Sequence, residues 1–158
     1  MALQINKILC PTDFSDLSVR ALNYAKGLTE TFNAQLHCLH VIDEGLATSW
    51  SVLGPESVPV GPAVDDLQSL AEGQMQRFAD EHLIGLKYTP LTKVVMGRPF
   101  VGIVAYAREH SIDLIVIGTH GRSGLTHALL GSTAERVVRK APCPVLTVRD
   151  LDRAVTAP

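Results

Sequence analysis

The chain has 158 residues, 46% of them hydrophobic and 19% charged, with 14 Lys+Arg against 16 Asp+Glu and a formal net charge of −2. That apolar content excludes an intrinsically disordered chain, and one domain is expected at this length, hiding about 70% of its unfolded surface. The near-neutral charge leaves no general drive towards nucleic acid or an anionic membrane surface.

Residues 5–10 form a short apolar run that suits a buried strand stopping at Pro11. Asp13, Ser15 and Asp16 are helix-start signals. Leu17, Ala21, Tyr24, Ala25, Leu28 and Phe32 then recur at spacings of three and four, which predicts an amphipathic helix over 16–32, ended by Asn33. Leu36 to Ile42 reads as the second strand. Residues 43–62, with three glycines, three prolines and Trp50, break any period and read as a long loop. A second helix is expected over about 63–82, and a third strand over Thr89–Val95, weakened at its start by Pro90. Pro99 opens a helix with Phe100, Ile103, Val104 and Ala107 on its apolar face. Leu114-Ile115-Val116-Ile117, ending at Gly118, is the clearest buried strand. A last helix carries Ala134, Val137, Val138 and Ala141, and Val145–Val148 is the last strand.

Strands alternating with helices, several of the strands continuously apolar, predict an α/β fold with a parallel sheet covered on both faces. Ligands bind such sheets beyond the carboxyl ends of the strands, near the topological switch point. That rim holds Cys10-Pro11-Thr12-Asp13 and Gly118-Thr119-His120-Gly121. No second domain is expected, and residues 150–158 read as a tail. Three cysteines without CxxC spacing argue against a disulfide framework and for a reducing compartment. No apolar run nears the ~18 residues of a membrane span, so the expectation is a cytoplasmic protein without membrane insertion.

The segment 118–133, GTHGRSGLTHALLGST, carries the chemistry. Its spacing is G-x2-G-x9-G-S, with Gly118 and Gly121 after a buried strand and Gly131-Ser132-Thr133 opening a helix. Helix N-termini expose unpaired N–H groups at the positive end of the dipole and bind phosphate readily, and glycines admit a close approach. Arg122 adds a guanidinium and His120 a donor. Ser132-Thr133-Ala134-Glu135 also reads as a capping box, so capping and phosphate binding both stand on this segment. Walker-type, dinucleotide and HExxH motifs are absent, and the nucleophile-elbow spacing is one residue short. His37 and His40 lie three apart on a strand, face opposite sides and read as structural. Cys10 and Cys38 read as small core residues.

Five stretches together resemble the universal stress protein family over about residues 4–149: ILCPTDFS at 8–15, VVMGRP at 94–99, DLIVIGTHG at 113–121, LGSTAERV at 130–137 and PCPVLTV at 142–148. The resemblance implies a single domain over 1–149, a Rossmann-like open five-stranded sheet of order 3-2-1-4-5, and a homodimer paired through the edge strand 144–149. The complete glycine pattern resembles the family's ATP-binding branch. Carried over by position, Asp13 and the Val41 backbone resemble adenine and ribose contacts, with Pro11 and Thr12 on the same edge. Met96 and Gly97 resemble the wall beside the base. Gly118, His120, Gly121, Gly131, Ser132 and Thr133 resemble phosphate contacts, with Arg122 at a position that varies. Asp13 also reads as a helix N-cap and Val41 as core. ATP or another adenine nucleotide is the implied ligand, with Mg²⁺ resting mainly on the phosphates and water.

The reading that follows is an ATP-binding stress-response or regulatory protein acting with an unidentified protein partner. Its nucleotide would serve as a sensor ligand with little or no hydrolysis. Against it stand a slow ATPase or nucleotidyl-transferring enzyme and an interaction module with a vestigial pocket.

Overall fold

The computed structural model describes residues 2–45, 64–120 and 130–150. Among the described residues nine elements alternate: β1 (Lys7–Pro11), α1 (Asp16–Phe32), β2 (Gln35–Asp43), α2 (Val64–His82), β3 (Leu91–Gly97), α3 (Pro99–Glu109), β4 (Leu114–Gly118), α4 (Ser132–Lys140) and β5 (Val145–Val148). The strands form one sheet of order β3-β2-β1-β4-β5. Every neighbouring pair is parallel, with Ile8 against Leu36 on one side and Leu114 on the other. This is the expected open α/β sheet, and the chain reverses its direction of travel between β1 and β4.

The period of two along the strands divides the core. Ile8, Cys10, Leu36, Cys38 and Val116 face the layer of α1 and α2, where they meet Ala21, Leu22, Ala25, Met75 and Phe78. Leu9, Leu39, Val41, Ile115 and Ile117 face the layer of α3 and α4, where they meet Ile103, Tyr106, Ala134 and Val137. Helix α1 begins at the Ser15 cap, whose side chain accepts from the Ser18 N–H, and ends at Asn33 in the left-handed conformation. Its buried stripe is Ser18, Ala21, Leu22, Ala25 and Thr29.

Two apolar residues assigned to helix faces are exposed: Tyr24 in α1 and Val138 in α4. Each sits one residue from a buried neighbour, Ala25 or Val137, and one residue is ~100° of helix rotation. Strand β3 starts two residues later than expected and runs on to Gly97. Pro90 has no N–H for a ladder, and the pairing of His37 to Asp43 with Leu91 to Gly97 sets the register. The expected capping box does not form. Gly131 is the N-cap of α4, no side chain caps it, and Ser132 is the first helical residue. Glu135 instead pairs with Arg139 at 2.8 Å one turn on. Among the described residues, no helix is long and apolar enough to cross a membrane.

Candidate functional site

The carboxyl ends of β1 and β4 form the centre of one rim. Chain leaving β1 is held down by the Thr12 N–H, which donates to the Leu39 carbonyl at 2.9 Å. The Nδ1–H of His40 donates to the Thr12 carbonyl at 2.8 Å. The Thr12 hydroxyl is buried and committed. It accepts from the Phe14 N–H at 3.0 Å and lies 2.9 Å from the Ser18 hydroxyl. Ser18 gives its own proton to the Ser15 carbonyl at 2.8 Å, so Thr12 is the donor in the pair. Thr12 therefore builds the turn, and its hydroxyl proton is spent inside the protein. Asp13 stands at the rim with Oδ1 accepting from the Ser15 N–H at 3.0 Å; the N-cap of α1 is Ser15, not Asp13.

Beyond β4, the Thr119 N–H donates to the Val148 carbonyl at 2.9 Å, which ties the loop to β5. The Thr119 hydroxyl lies 3.0 Å from His120 Nδ1. The Gly131 N–H donates to the Thr119 carbonyl, so the start of α4 is fastened to the end of β4. A Cβ on Gly131 would lie 2.7 Å from that carbonyl oxygen, and one on Gly118 would lie 3.0 Å from Leu17 Cγ. Gly131 is thus required by the protein's own packing, whatever a phosphate also asks of it, while Gly118 is closely packed against a side chain that can shift. With no side chain capping α4, its first N–H groups face the rim, a geometry suited to an anion.

Val41 is core on its side-chain face, packed where α3 crosses at Gly102. Its backbone differs. The Leu39 carbonyl bonds towards β1, and a step of two residues turns the Val41 peptide groups to the same edge, past Pro11 where β1 stops. Met96 and Gly97, half-buried at the end of β3, pair with Ile42 and Asp43. Four strands at ~4.8 Å spacing carry the rim from β3 to β4 over ~14 Å. Gly121 and Arg122 lie outside the described residues, as do Trp50 and most of the loop expected at 43–62.

A cleft of about 220 Å³ opens on the α3 and α4 side of this rim, lined by Asp43, Arg98, Phe100, Ser132, Thr133 and Arg136. Arg136 lies over the Phe100 ring at 5.1 Å. The sequence reading missed Arg98 and Arg136 as site residues. The available signal was Arg136 one helical turn after Ser132, which places it over the same end of α4.

All three thiols are held towards their protonated form. Burial pushes Cys10 well above its ordinary range and Cys38 up to about 12. Burial and the neighbouring Asp113 also raise Cys143. Among the described residues no cluster of His, Cys, Asp and Glu is grouped to hold a metal. His37 and His40 do face opposite layers, His37 bonding Tyr106 of α3 and His40 lying tilted against the Phe14 ring.

The fold, the glycine-lined rim and the chain's family agree. The model of the universal stress protein family matches residues 4–149. The chain belongs to the universal stress protein family. The universal stress protein MJ0531 of Methanocaldococcus jannaschii is 34% identical over 143 residues, 90% of this chain and 81% of that one. The solved structure of hypothetical protein MJ0577 superposes with a TM-score of 0.78 at 32% identity, covering 94% of this chain and 98% of that one. A universal stress protein solved in complex with cAMP shares the fold, with a TM-score of 0.67 at 23% identity over 93% of this chain and 98% of that one.

Proposed function

We propose that this universal stress protein binds an adenine nucleotide, ATP in the first instance, and uses its occupancy as a regulatory signal in a stress response with little or no hydrolysis. The observation that carries the reading is the start of α4, left without a side-chain cap and fastened beside the β1–β4 switch point by the Gly131 N–H to Thr119 carbonyl bond. The base and ribose then lie along Asp13, the Val41 peptide edge, Met96 and Gly97. The phosphates lie at Gly118, His120, Gly131, Ser132 and Thr133, and Gly121 and Arg122 join them as phosphate contacts by their position in the sequence pattern. Thr12 contributes by shaping the turn and Pro11 by ending β1. A Mg²⁺ rests on the phosphates and water, with the Asp43 carboxylate within the same cleft. The location is the cytoplasm, and the signal passes to a protein partner from a homodimer joined along β5.

The test is to purify the protein without added nucleotide, denature it and identify released small molecules by chromatography and mass spectrometry. Adenine nucleotide near one per chain supports the reading. If the protein emerges empty, Mg-ATP must raise its melting temperature, since a ligand stabilises the state that binds it. An empty protein with an unmoved melting temperature overturns the reading.

A further inference from the structure

Helix α4 carries Arg136 and Arg139, and only Arg139 has an ion partner among the described residues, Glu135 at 2.8 Å. Arg136 is held by an aromatic face, its guanidinium carbon 5.1 Å from the Phe100 ring centre. A guanidinium over an aromatic face gains a cation–π attraction without using its N–H donors. Arg98 enters the same cleft from the residue before α3. No described carboxylate forms an ion pair with either arginine. The one carboxylate lining the cleft, Asp43, accepts from the Gly45 N–H at 2.8 Å through Oδ1. Two cations thus outnumber one anion in a cleft that Ser132 and Thr133 also line. Guanidinium forks suit phosphate oxygens, each charge-assisted bond being about twice as strong as a neutral one.

We propose that Arg98 and Arg136 form a polyphosphate clamp that takes the distal phosphates of the bound nucleotide, so that these two residues set a preference for nucleoside triphosphate over monophosphate or cyclic monophosphate. The proposal rests on the nucleotide reading above for its base, while the clamp recognises phosphate alone. Asp43 limits the clamp to ligands whose charge exceeds its own or that arrive with a divalent cation.

The experiment is calorimetric titration of the full chain with Mg-ATP, AMP, cAMP and inorganic tripolyphosphate, for the native protein and for Arg98→Gln and Arg136→Gln, with thermal melts to check folding. Tighter binding of ATP than AMP is expected in the native protein. Each variant is expected to weaken ATP and tripolyphosphate about tenfold, the scale of one lost hydrogen bond to a charged group, and to leave AMP and cAMP within about twofold. Equal losses for ATP and AMP, or no loss in either folded variant, overturn the clamp and leave the nucleotide reading standing. Tripolyphosphate binding that both variants lose, without any adenine nucleotide binding, supports the clamp and overturns the nucleotide reading. No binding of any of the four overturns both.

Discussion

The backbone of Gly131 donates its N–H to the carbonyl of Thr119, and a Cβ at Gly131 would sit 2.7 Å from that same oxygen. Thr119 cannot yield easily, because its own N–H is bonded to Val148 and its side chain is buried. Gly131→Ala is therefore expected to cost about 1–3 kcal/mol, the range for a forced backbone shift in a packed region. Gly118→Ala meets Leu17 Cγ at 3.0 Å and is expected to cost less, because Leu17 is half-buried and its side chain can turn. Urea denaturation of the two variants checks the order. A Gly131→Ala protein as stable as the native chain would show that the contact relaxes freely. The same geometry makes Gly131→Val a poor probe of ligand binding, since it strikes Thr119 before any phosphate.

The Thr12 hydroxyl is the centre of a closed set of bonds, accepting from the Phe14 N–H and donating to Ser18. Thr12→Val keeps the shape and removes both, leaving the half-buried Phe14 N–H and the buried Ser18 oxygen without that partner. The expected loss is about 1–3 kcal/mol, with Thr12→Ser recovering most of it. Chemical denaturation of the three proteins decides, and a Thr12→Val chain of native stability would mean that the turn does not depend on this hydroxyl.

Much of this was legible in the sequence. Leu114 to Gly118 reads as a buried strand because it is an interior strand, between β1 and β5, covered on both faces. Helix α1 reads to its exact ends because Ser15 and Asn33 are capping residues at those ends. Strand β3 is an edge strand with three exposed residues at its start, so hydrophobic pattern marks it weakly and its pairing with β2 sets its bounds. The G-x2-G-x9-G-S pattern located the rim, but part of its cause is internal: Gly118 gives way to Leu17, and Gly131 to Thr119. Arg98 and Arg136 escaped because isolated exposed cations carry no period. Only α3 and α4 lying side by side bring them to one cleft.

His37 is 2% exposed and bonds Tyr106 through Nδ1. Burial, reinforced by His110 and Lys7, lowers its pKa from 6.5 to about 4. Between those values the unfolded chain binds the proton and the folded chain does not. Stability from this group is thus complete above pH 6.5 and is lost as pH falls towards about 4. Melting temperature measured through that window is expected to fall more steeply for the native protein than for His37→Gln. Parallel curves would show that another group carries the acid sensitivity.

Strand β5 closes one edge of the sheet, and Leu146 at its middle is 38% exposed. Val138 on the adjoining helix is 46% exposed. An unpaired apolar edge invites another strand, and the same strand of a second copy covers it symmetrically. Leu146→Lys places a charge on that seam at a position exposed in the single chain, so the fold is expected to survive. Sedimentation velocity is expected to give a dimer for the native protein and a monomer for the variant. A native monomer sinks the edge-pairing proposal outright. A variant dimer moves the interface away from β5, because a lysine buried between paired edges without a partner is costly enough to separate them.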